Sequence, residues 1–309
     1  MNFLSYHISH RTIYDYQSPV TQADHIIKLD PRADRHQKQL RHELSILPQP
    51  SHTDDHVDYF GNRTCLAAHQ TPLSRLEIQA VSEVAVTLPY VPEPTETPAW
   101  ESVRGRILTD RGGASLEALE YCFDSPAVSI PPGIQAYASQ SFPRGRPLIE
   151  AATDLTERIF RDFEFDPAAT TVSTPVSEVL ENRRGVCQDF AHFEIACLRS
   201  LGLAARYVSG YLETDPPPGS AKLIGADASH AWVSVYCPDM GWIDLDPTNG
   251  CLPTMRHITI GWGRDYSDIC PIKGVIVGGN EPDLKIEVDV ICQGPSSSAA
   301  LSPSGAPSD

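Results

Sequence analysis

Residues 184–202 read RGVCQDFAHFEIACLRSLG, and the prediction of the core begins from this stretch. Gly185 and Val186 precede Cys187, and an apolar run continues from there to Gly202. Apolar side chains occur around most of this run, a pattern that is typical of a buried helix rather than of a surface helix. The stretch therefore predicts a central helix that begins at a cysteine.

Three short apolar runs follow the helix and predict buried strands. They cover residues 205–212, 231–236 and 242–245. Runs of this length that are rich in β-branched and aromatic residues favour strands over helices. His230 directly precedes the second run, and Asp246 directly follows the third. The sequence thus predicts a histidine at the start of one strand and an acid at the end of the next.

Cys187, His230 and Asp246 are the residue types that acyl transfer on a thiol requires, namely a nucleophile, a base and an orienting group. A free thiol has a pKa of about 8.5, and a helix N-terminus with a nearby imidazolium lowers it. His230 would accept the thiol proton and later protonate the leaving group, while Asp246 would hold the imidazole tautomer. The Cys187 backbone N–H would be one oxyanion donor, and the sequence identifies no second donor.

The glycine before the helix has an expected role of its own. We expect Gly185 to permit a sharp turn, so that the sulfur of Cys187 faces a cleft while the helix dipole points at it.

Each of these residues, taken alone, has a plainer explanation. Cysteine is among the most buried residue types, so a single cysteine on an apolar helix is usually a packing residue, and Cys197 is such a case. A lone histidine before Ala-Trp-Val is likewise compatible with a satisfied core residue. The prior for a functional role of any one of them is roughly one in ten. The occurrence of all three residues in this order, each in a matching local setting, raises this prior.

Asp244 competes with Asp246 for the orienting role. The two acids lie near the end of one predicted strand, two positions apart, so their side chains should point to the same face. We favour Asp246 because Pro247 ends the strand there and places the acid at the rim. His192 and Asp189 lie on other faces of the predicted helix, and we interpret both as structural or supporting residues.

Charge and cysteine content argue against several function classes. The 309 residues include 24 basic and 40 acidic side chains, a formal charge of -16, so we expect no nucleic-acid partner. The eight cysteines show no CxxC pair, so we expect no metal site and no cofactor. No apolar run approaches the length of a membrane span, so we expect no membrane partner. Without a signal-peptide pattern, we expect a cytoplasmic protein with free thiols.

The chain divides into four predicted regions. Residues 1–90 alternate apolar and polar side chains in several stretches and predict an antiparallel β-rich N-terminal domain. Residues 91–150 begin with a proline-rich linker and continue into a helical region. Residues 151–292 are the predicted catalytic core with a C-terminal β extension. Residues 293–309 are almost all Ser, Pro, Ala and Gly, and we expect them to be disordered.

Several segments of the chain carry the motifs of a known family. The core segments are GVCQDFAHFEIACLRSLGLAARYVSGYL, ASHAWVSVY and GWIDLDPTNG, and the N-terminal segment is SYHISHRTIYDYQSPV. The core segments resemble the transglutaminase-like superfamily, specifically its bacterial branch. The N-terminal segment resembles the β-rich leader domain of that branch. The resemblance extends over about residues 3–292, and the core motifs are specific.

The resemblance implies an α+β fold with a papain-like core and a Cys-His-Asp triad, which by motif falls on Cys187, His230 and Asp246. It implies a thiol hydrolase or acyltransferase that acts on amide or peptide bonds through a thioester. The enzyme would be a protease or amidase, or else a glutamine acyltransferase. Expected partners are a peptide or protein substrate and an amine acceptor, and the oligomeric state stays open.

The sequence lacks two metal-binding motifs, and one alternative function stays open. The zinc-binding CxxC pairs of related glycoprotein-deglycosylating enzymes are missing, and so is a calcium loop of EF-hand type. The alternative function is a non-catalytic scaffold or protein-interaction module, which a blocked cleft would favour.

Overall fold

The computed structural model describes residues 3–89, 91–110, 112–214, 227 and 229–295. Its N-terminal part is an antiparallel sheet in the spatial order β2-β5-β1-β4-β3. Alternation along the first strand buries Tyr6 and Ile8 while their neighbours stay more exposed, as a half-buried strand requires. The predicted β-rich N-terminal part is therefore present. The strands are β1 Phe3–Ile27, β2 Gln37–Leu47, β3 His52–Val57, β4 Arg63–His69 and β5 Leu73–Thr87.

The helices begin after the first sheet, as predicted. In the described part of the chain, no helix is both long and apolar enough to cross a membrane. Two strands of two residues each, β6 Glu164–Phe165 and β7 Arg184–Gly185, pair in parallel and lead into the sixth helix. The helices are α1 Trp100–Thr109, α2 Gly113–Leu119, α3 Ile134–Ser139, α4 Leu148–Asp162, α5 Val176–Asn182, α6 Cys187–Ser200 and α7 Tyr266–Ile269.

Helix α6 is the centre of the second part of the molecule. Every residue from Asp189 to Arg199 is buried, so the prediction of a central helix is confirmed. It packs in one hydrophobic core with α4 and with the antiparallel sheet β10-β9-β8-β11. That sheet consists of β8 Ala205–Leu212, β9 Ser229–Cys237, β10 Gly241–Leu245 and β11 His257–Gly263.

The last two strands return to the N-terminal sheet. Strands β12 Ile272–Gly278 and β13 Asp283–Pro295 both pair antiparallel with β1. The predicted C-terminal β extension thus completes the first sheet, while the boundaries of the four regions stay a prediction. The expectation of disorder from residue 293 is wrong for residues 293–295, because they pair with β1, and residues 296–309 lie outside the described residues.

The two sheets share a buried interface. Tyr6 and Val84 of the first sheet pack in one apolar cluster with Tyr211 of β8 and Ile258 of β11. All four side chains are almost fully buried, so the first sheet supports the outer strands of the core.

Candidate active site

Cys187 is the first residue of α6, and Asp189 caps the helix at this end. The backbone N–H of Val186 donates to Oδ2 of Asp189 at 2.8 Å, and the Thr170 hydroxyl donates to the same oxygen at 2.6 Å. Burial raises the pKa of Asp189, while these two hydrogen bonds oppose the shift. Asp189 is therefore a supporting residue that fixes the start of the helix.

Gly185 has a different role from the expected sharp turn. Its φ angle is not in the positive, left-handed range, and it pairs with Phe165 as part of β7. A Cβ at this position would lie 2.6 Å from Oδ2 of Asp189, closer than real Cβ contacts allow. Glycine is needed here because the capping carboxylate packs directly against the backbone.

His230 is the second residue of β9 and lies between Asp246 and Cys187. Its Nε2 is 2.8 Å from Oδ2 of Asp246, and its side chain is 9% exposed. The thiol of Cys187 lies close enough to the same imidazole to raise its pKa. Because Nε2 faces Asp246, Nδ1 is the ring nitrogen that remains for the sulfur. The structure therefore brings the three predicted residues together.

The imidazole of His230 is held in its charged form. Burial lowers its pKa, but hydrogen bonds and negative charge from Asp246 and Cys187 outweigh burial and raise the pKa to about 10. An imidazolium that persists at neutral pH is suited to stabilise an anionic sulfur next to it.

Asp246 is fully buried and lies just after β10. Its Oδ2 accepts hydrogen bonds from His230, from His257 Nε2 at 3.1 Å and from Asn249 Nδ2 at 2.6 Å. Its Oδ1 accepts from the backbone N–H groups of Thr248 and Asn249, at 3.0 and 3.2 Å. Burial opposes ionisation, yet the hydrogen bonds hold the pKa of Asp246 well below its ordinary value. The residue is thus a permanent anion behind the imidazole.

Sequence reasoning missed His257 and Asn249. His257 opens β11, and its Nδ1 accepts a hydrogen bond from the backbone N–H of Thr254 at 3.2 Å. Because Nδ1 is an acceptor, the proton lies on Nε2, which donates to Asp246. Asn249 stands inside the motif GWIDLDPTNG, so the motif itself was a signal, whereas His257 has no local pattern that points to the site.

The structure separates the two candidate acids. Oδ2 of Asp244 accepts from the indole Nε1 of Trp232 at 3.1 Å, and Oδ1 accepts from the hydroxyl of Ser234. Asp244 therefore holds the buried Trp232 ring, and Asp246 alone contacts His230. The geometry agrees with the choice of Asp246.

The other histidine and cysteine of α6 have structural surroundings. Nε2 of His192 accepts from the backbone N–H of Tyr266 at 3.1 Å, and burial lowers the pKa of His192 to about 4. Cys197 is fully buried, and burial raises the pKa of its thiol well above the ordinary value. These surroundings agree with the prediction that His192 is a structural or supporting residue and Cys197 a packing residue.

A buried acid lies beneath the site on the same helix. Glu194 is fully buried, and burial raises its pKa to about 8, with a further contribution from the charge of Asp246. The Thr156 hydroxyl is 2.9 Å from the carbonyl of Ala152 and 2.6 Å from Oε1 of Glu194. One hydroxyl proton cannot serve both acceptors, and the buried Oε2 of Glu194 has no hydrogen-bond partner among the described residues, so the site favours the protonated acid.

The site also contains the one group with metal-ligand spacing among the described residues. The donor atoms of His230, Asp246 and His257 all lie within 4.8 Å of one another. Both imidazole Nε2 atoms already hydrogen-bond to Oδ2 of Asp246, so the three groups are satisfied as a hydrogen-bond network.

Comparison with protein families matches both parts of the chain. The core model of the transglutaminase-like superfamily matches residues 135–247. The model of the bacterial transglutaminase-like N-terminal region matches residues 6–85.

Curated relatives extend the match along the chain. An uncharacterized protein of Mycobacterium tuberculosis is 42% identical over 295 residues, which cover 93% of this chain and 92% of the relative. A protein-glutamine gamma-glutamyltransferase of Pseudomonas aeruginosa is 30% identical over 107 residues, which cover 32% of this chain and 16% of that protein.

A solved structure shows the same fold. A protein of Cytophaga hutchinsonii that carries the provisional name of cysteine protease has a TM-score of 0.72 and 19% identity, over 99% of this chain and 94% of its own. This likeness confirms the predicted α+β class, with a papain-like core and an N-terminal antiparallel β-rich domain. With both parts matched by family models and a relative aligned over nearly its whole length, the chain belongs to the transglutaminase-like superfamily and carries that superfamily's bacterial N-terminal region.

Proposed function

We propose that the protein is a cysteine-dependent enzyme that acts on amide or peptide bonds through a thioester. Cys187 is the nucleophile, His230 is the general acid and base, and Asp246 orients and stabilises the imidazolium. The observation that carries the proposal is the continuous polar line from the buried Asp246 through His230 to a thiol at the first residue of a buried helix. This is the arrangement that activates a thiol for acyl transfer.

The first half-reaction forms the acyl-enzyme. In the proposed resting state the thiol proton already lies on His230, and the sulfur attacks the substrate carbonyl carbon. The carbon–nitrogen bond then breaks as the imidazolium gives its proton to the leaving ammonia or amine. The raised pKa of His230 favours the imidazolium form that this transfer uses. The backbone N–H of Cys187 is the proposed first oxyanion donor, since it belongs to the unpaired set at the helix start.

The second half-reaction decides the enzyme class. Water or an amine attacks the thioester, its proton passes to His230, and the sulfur leaves as the thiolate. Water gives a protease or amidase, and an amine gives a glutamine acyltransferase. The names of two similar proteins, a glutamyltransferase and a provisionally named cysteine protease, represent both outcomes.

The products of one substrate distinguish these outcomes. Benzyloxycarbonyl-glutaminylglycine is incubated with the protein, with and without methylamine, and the masses of the products are measured by mass spectrometry. A hydrolase converts the glutamine to glutamate in both arms, and an acyltransferase adds methylamine where it is present. Cys187→Ala should give neither product. If neither this peptide nor a panel of acyl donors gives a Cys187-dependent product, the proposal fails and the scaffold alternative replaces it.

We place the protein in the cytoplasm and propose a peptide or protein substrate, with an amine as the acceptor. All eight cysteines of the chain lie among the described residues and are free thiols, which fits a reducing compartment. The formal charge of -16 is unsuited to a nucleic-acid partner.

A further inference from the structure

A pocket apart from the proposed catalytic residues lies where the β1–β2 connection meets strand β10. It has a volume of about 360 Å³, within the usual range for small-molecule sites. Arg35, His36 and Arg206 line it together with the indole rings of Trp242 and Trp262. The residues of the proposed catalytic triad do not line this pocket, so it is a separate site.

Arg206 is a nearly buried arginine in the lining of this pocket. The residue is 8% exposed, and its guanidinium carbon lies 3.8 Å from the ring centroid of Trp262 and 4.3 Å from that of Trp242. Its Nε is buried and has no hydrogen-bond partner, and no carboxylate in the described part of the chain forms an ion pair with it. Ring contacts recover only part of the hydration that a buried ion loses, so an anionic partner is expected.

Two more arginines add positive charge beside it. Arg32 lies 3.6 Å from the same Trp262 ring and donates to the backbone carbonyl of Phe60. Arg35 donates to the backbone carbonyls of Met240 and Trp242, at 3.3 and 3.0 Å. These carbonyl acceptors are uncharged, so they do not neutralise either guanidinium group.

The two acids of the pocket have their own hydrogen-bond partners. Oδ1 of Asp34 accepts from the backbone N–H groups of His36 and Gln37, at 2.6 and 2.8 Å. Asp244 accepts from Trp232 and Ser234, as described above. Burial lowers the pKa of Arg206 to about 10, although the charges of Asp244 and Asp34 oppose that shift. Two arginines and two acids line the pocket, so their charges balance, and the guanidinium of Arg206, whose Nε has no hydrogen-bond partner, is the group that favours an anion.

We propose that this pocket binds a small organic carboxylate, with its oxygens on the N–H edge of Arg206 and its apolar part against Trp242 and Trp262. The guanidinium carbon lies within 4.3 Å of both ring centroids, and the planar N–H edge of a guanidinium can donate two parallel hydrogen bonds to a carboxylate. A monocarboxylate adds one negative charge beside Asp34 and Asp244, whereas a phosphate dianion would add two. The remaining wall includes Pro89, Val91 and Pro253, which suit an aliphatic tail.

Isothermal titration calorimetry and tryptophan fluorescence on the full chain test this site. The probes are 4-methylpentanoate, the uncharged analogue 4-methylpentan-1-ol, and inorganic phosphate. We expect saturable binding of the carboxylate that is at least roughly tenfold tighter than that of the alcohol and of phosphate. Cys187→Ala should bind the carboxylate as the wild type does, so the result is independent of the proposed function.

Variants locate the binding. Arg206→Lys should weaken carboxylate binding at least roughly tenfold, because an ammonium lacks the planar pair of donors. Arg35→Ala, at an exposed position, should weaken it roughly threefold and decides the test if Arg206→Lys does not fold. The control is Arg104→Ala, an exposed arginine 5.3 Å from the Trp100 ring and outside the pocket. Equal binding of the alcohol, tighter binding of phosphate, or identical binding by the Arg35 and Arg104 variants would overturn the proposal.

Discussion

His230 and His257 both donate from Nε2 to the same carboxylate oxygen of Asp246, at 2.8 and 3.1 Å. The second imidazole has its proton fixed on Nε2 by the backbone N–H of Thr254. It therefore stabilises the aspartate that orients the first, without contacting Cys187 in the proposed mechanism. His257 is a positioning residue in this account.

Replacing His257 tests that role. His257→Phe keeps a ring against Trp232 but removes the donor to Asp246, so kcat/KM should fall about tenfold, or about 1.4 kcal/mol. Because the hydrogen bond from His257 lowers the pKa of Asp246, its loss should also move the acid limb of the pH–rate profile to higher pH. His52→Phe, at an exposed position in β3, is the control and should change neither quantity. A lower rate with an unmoved acid limb would mean that His257 only fills space.

The charge of His230 should be visible in reagent selectivity. The rates at which iodoacetate and iodoacetamide alkylate Cys187 are measured by peptide mapping from pH 7 to pH 11, and the rate with iodoacetate is divided by the rate with iodoacetamide. Both reagents attack the same thiolate, so their ratio reports the nearby imidazolium. The pKa of His230 is raised to about 10, so the ratio should stay high at neutral pH and fall as the pH rises through that value. A ratio that falls near pH 6.5 would show an unshifted histidine, and His230→Gln should give a low, flat ratio.

Glu194 should make the free energy of unfolding depend on pH. Its folded-state pKa is raised from 4.5 to about 8, so its stabilising contribution is complete below pH 4.5 and is lost as the pH rises through about 8. Glu194→Gln mimics the protonated acid and removes this loss. Relative to the wild type, the variant should gain up to about 1.4 kcal/mol per pH unit between pH 4.5 and 8, with a plateau above. Urea unfolding of both proteins at several pH values measures it, and a pH-independent difference would refute the assignment.

Gly185 and Asp189 should be energetically coupled. Gly185→Ala places a Cβ against the capping carboxylate and should destabilise the protein by about 1–3 kcal/mol. In the Asp189→Ala background the same change should cost much less, because the carboxylate is gone. The matched control is Gly105→Ala in α1, where a Cβ would contact nothing within 4 Å, and a gain of about 0.5–1 kcal/mol is expected. Additive effects at residues 185 and 189 would contradict the close-approach explanation.

The sequence predicted the local parts of this structure well. Helix α6 begins at Cys187 and strand β8 covers residues 205–212 as expected, because each has a periodic apolar pattern of its own. The choice of Asp246 over Asp244 also followed from a local signal, the proline after it.

The remaining features depend on contacts between distant segments, which no local pattern encodes. His257 reaches Asp246 only because β11 pairs with β8 at the far edge of the core sheet. The C-terminal strands pair with β1, so their place in the first sheet could not be read from their own residues. The role of Gly185 depended on where the Asp189 side chain packs, which backbone rules for glycine do not address.

Trapping the acyl-enzyme shows whether Cys187 is the nucleophile. The wild type, Cys187→Ala and Cys197→Ala are each incubated with 4-nitrophenyl acetate, stopped in acid and mapped by mass spectrometry. We expect an acetyl thioester on Cys187 in the wild type and in Cys197→Ala, and none in a folded Cys187→Ala. Acetylation of a different cysteine, or an unmodified Cys187 in the folded wild type, would contradict it.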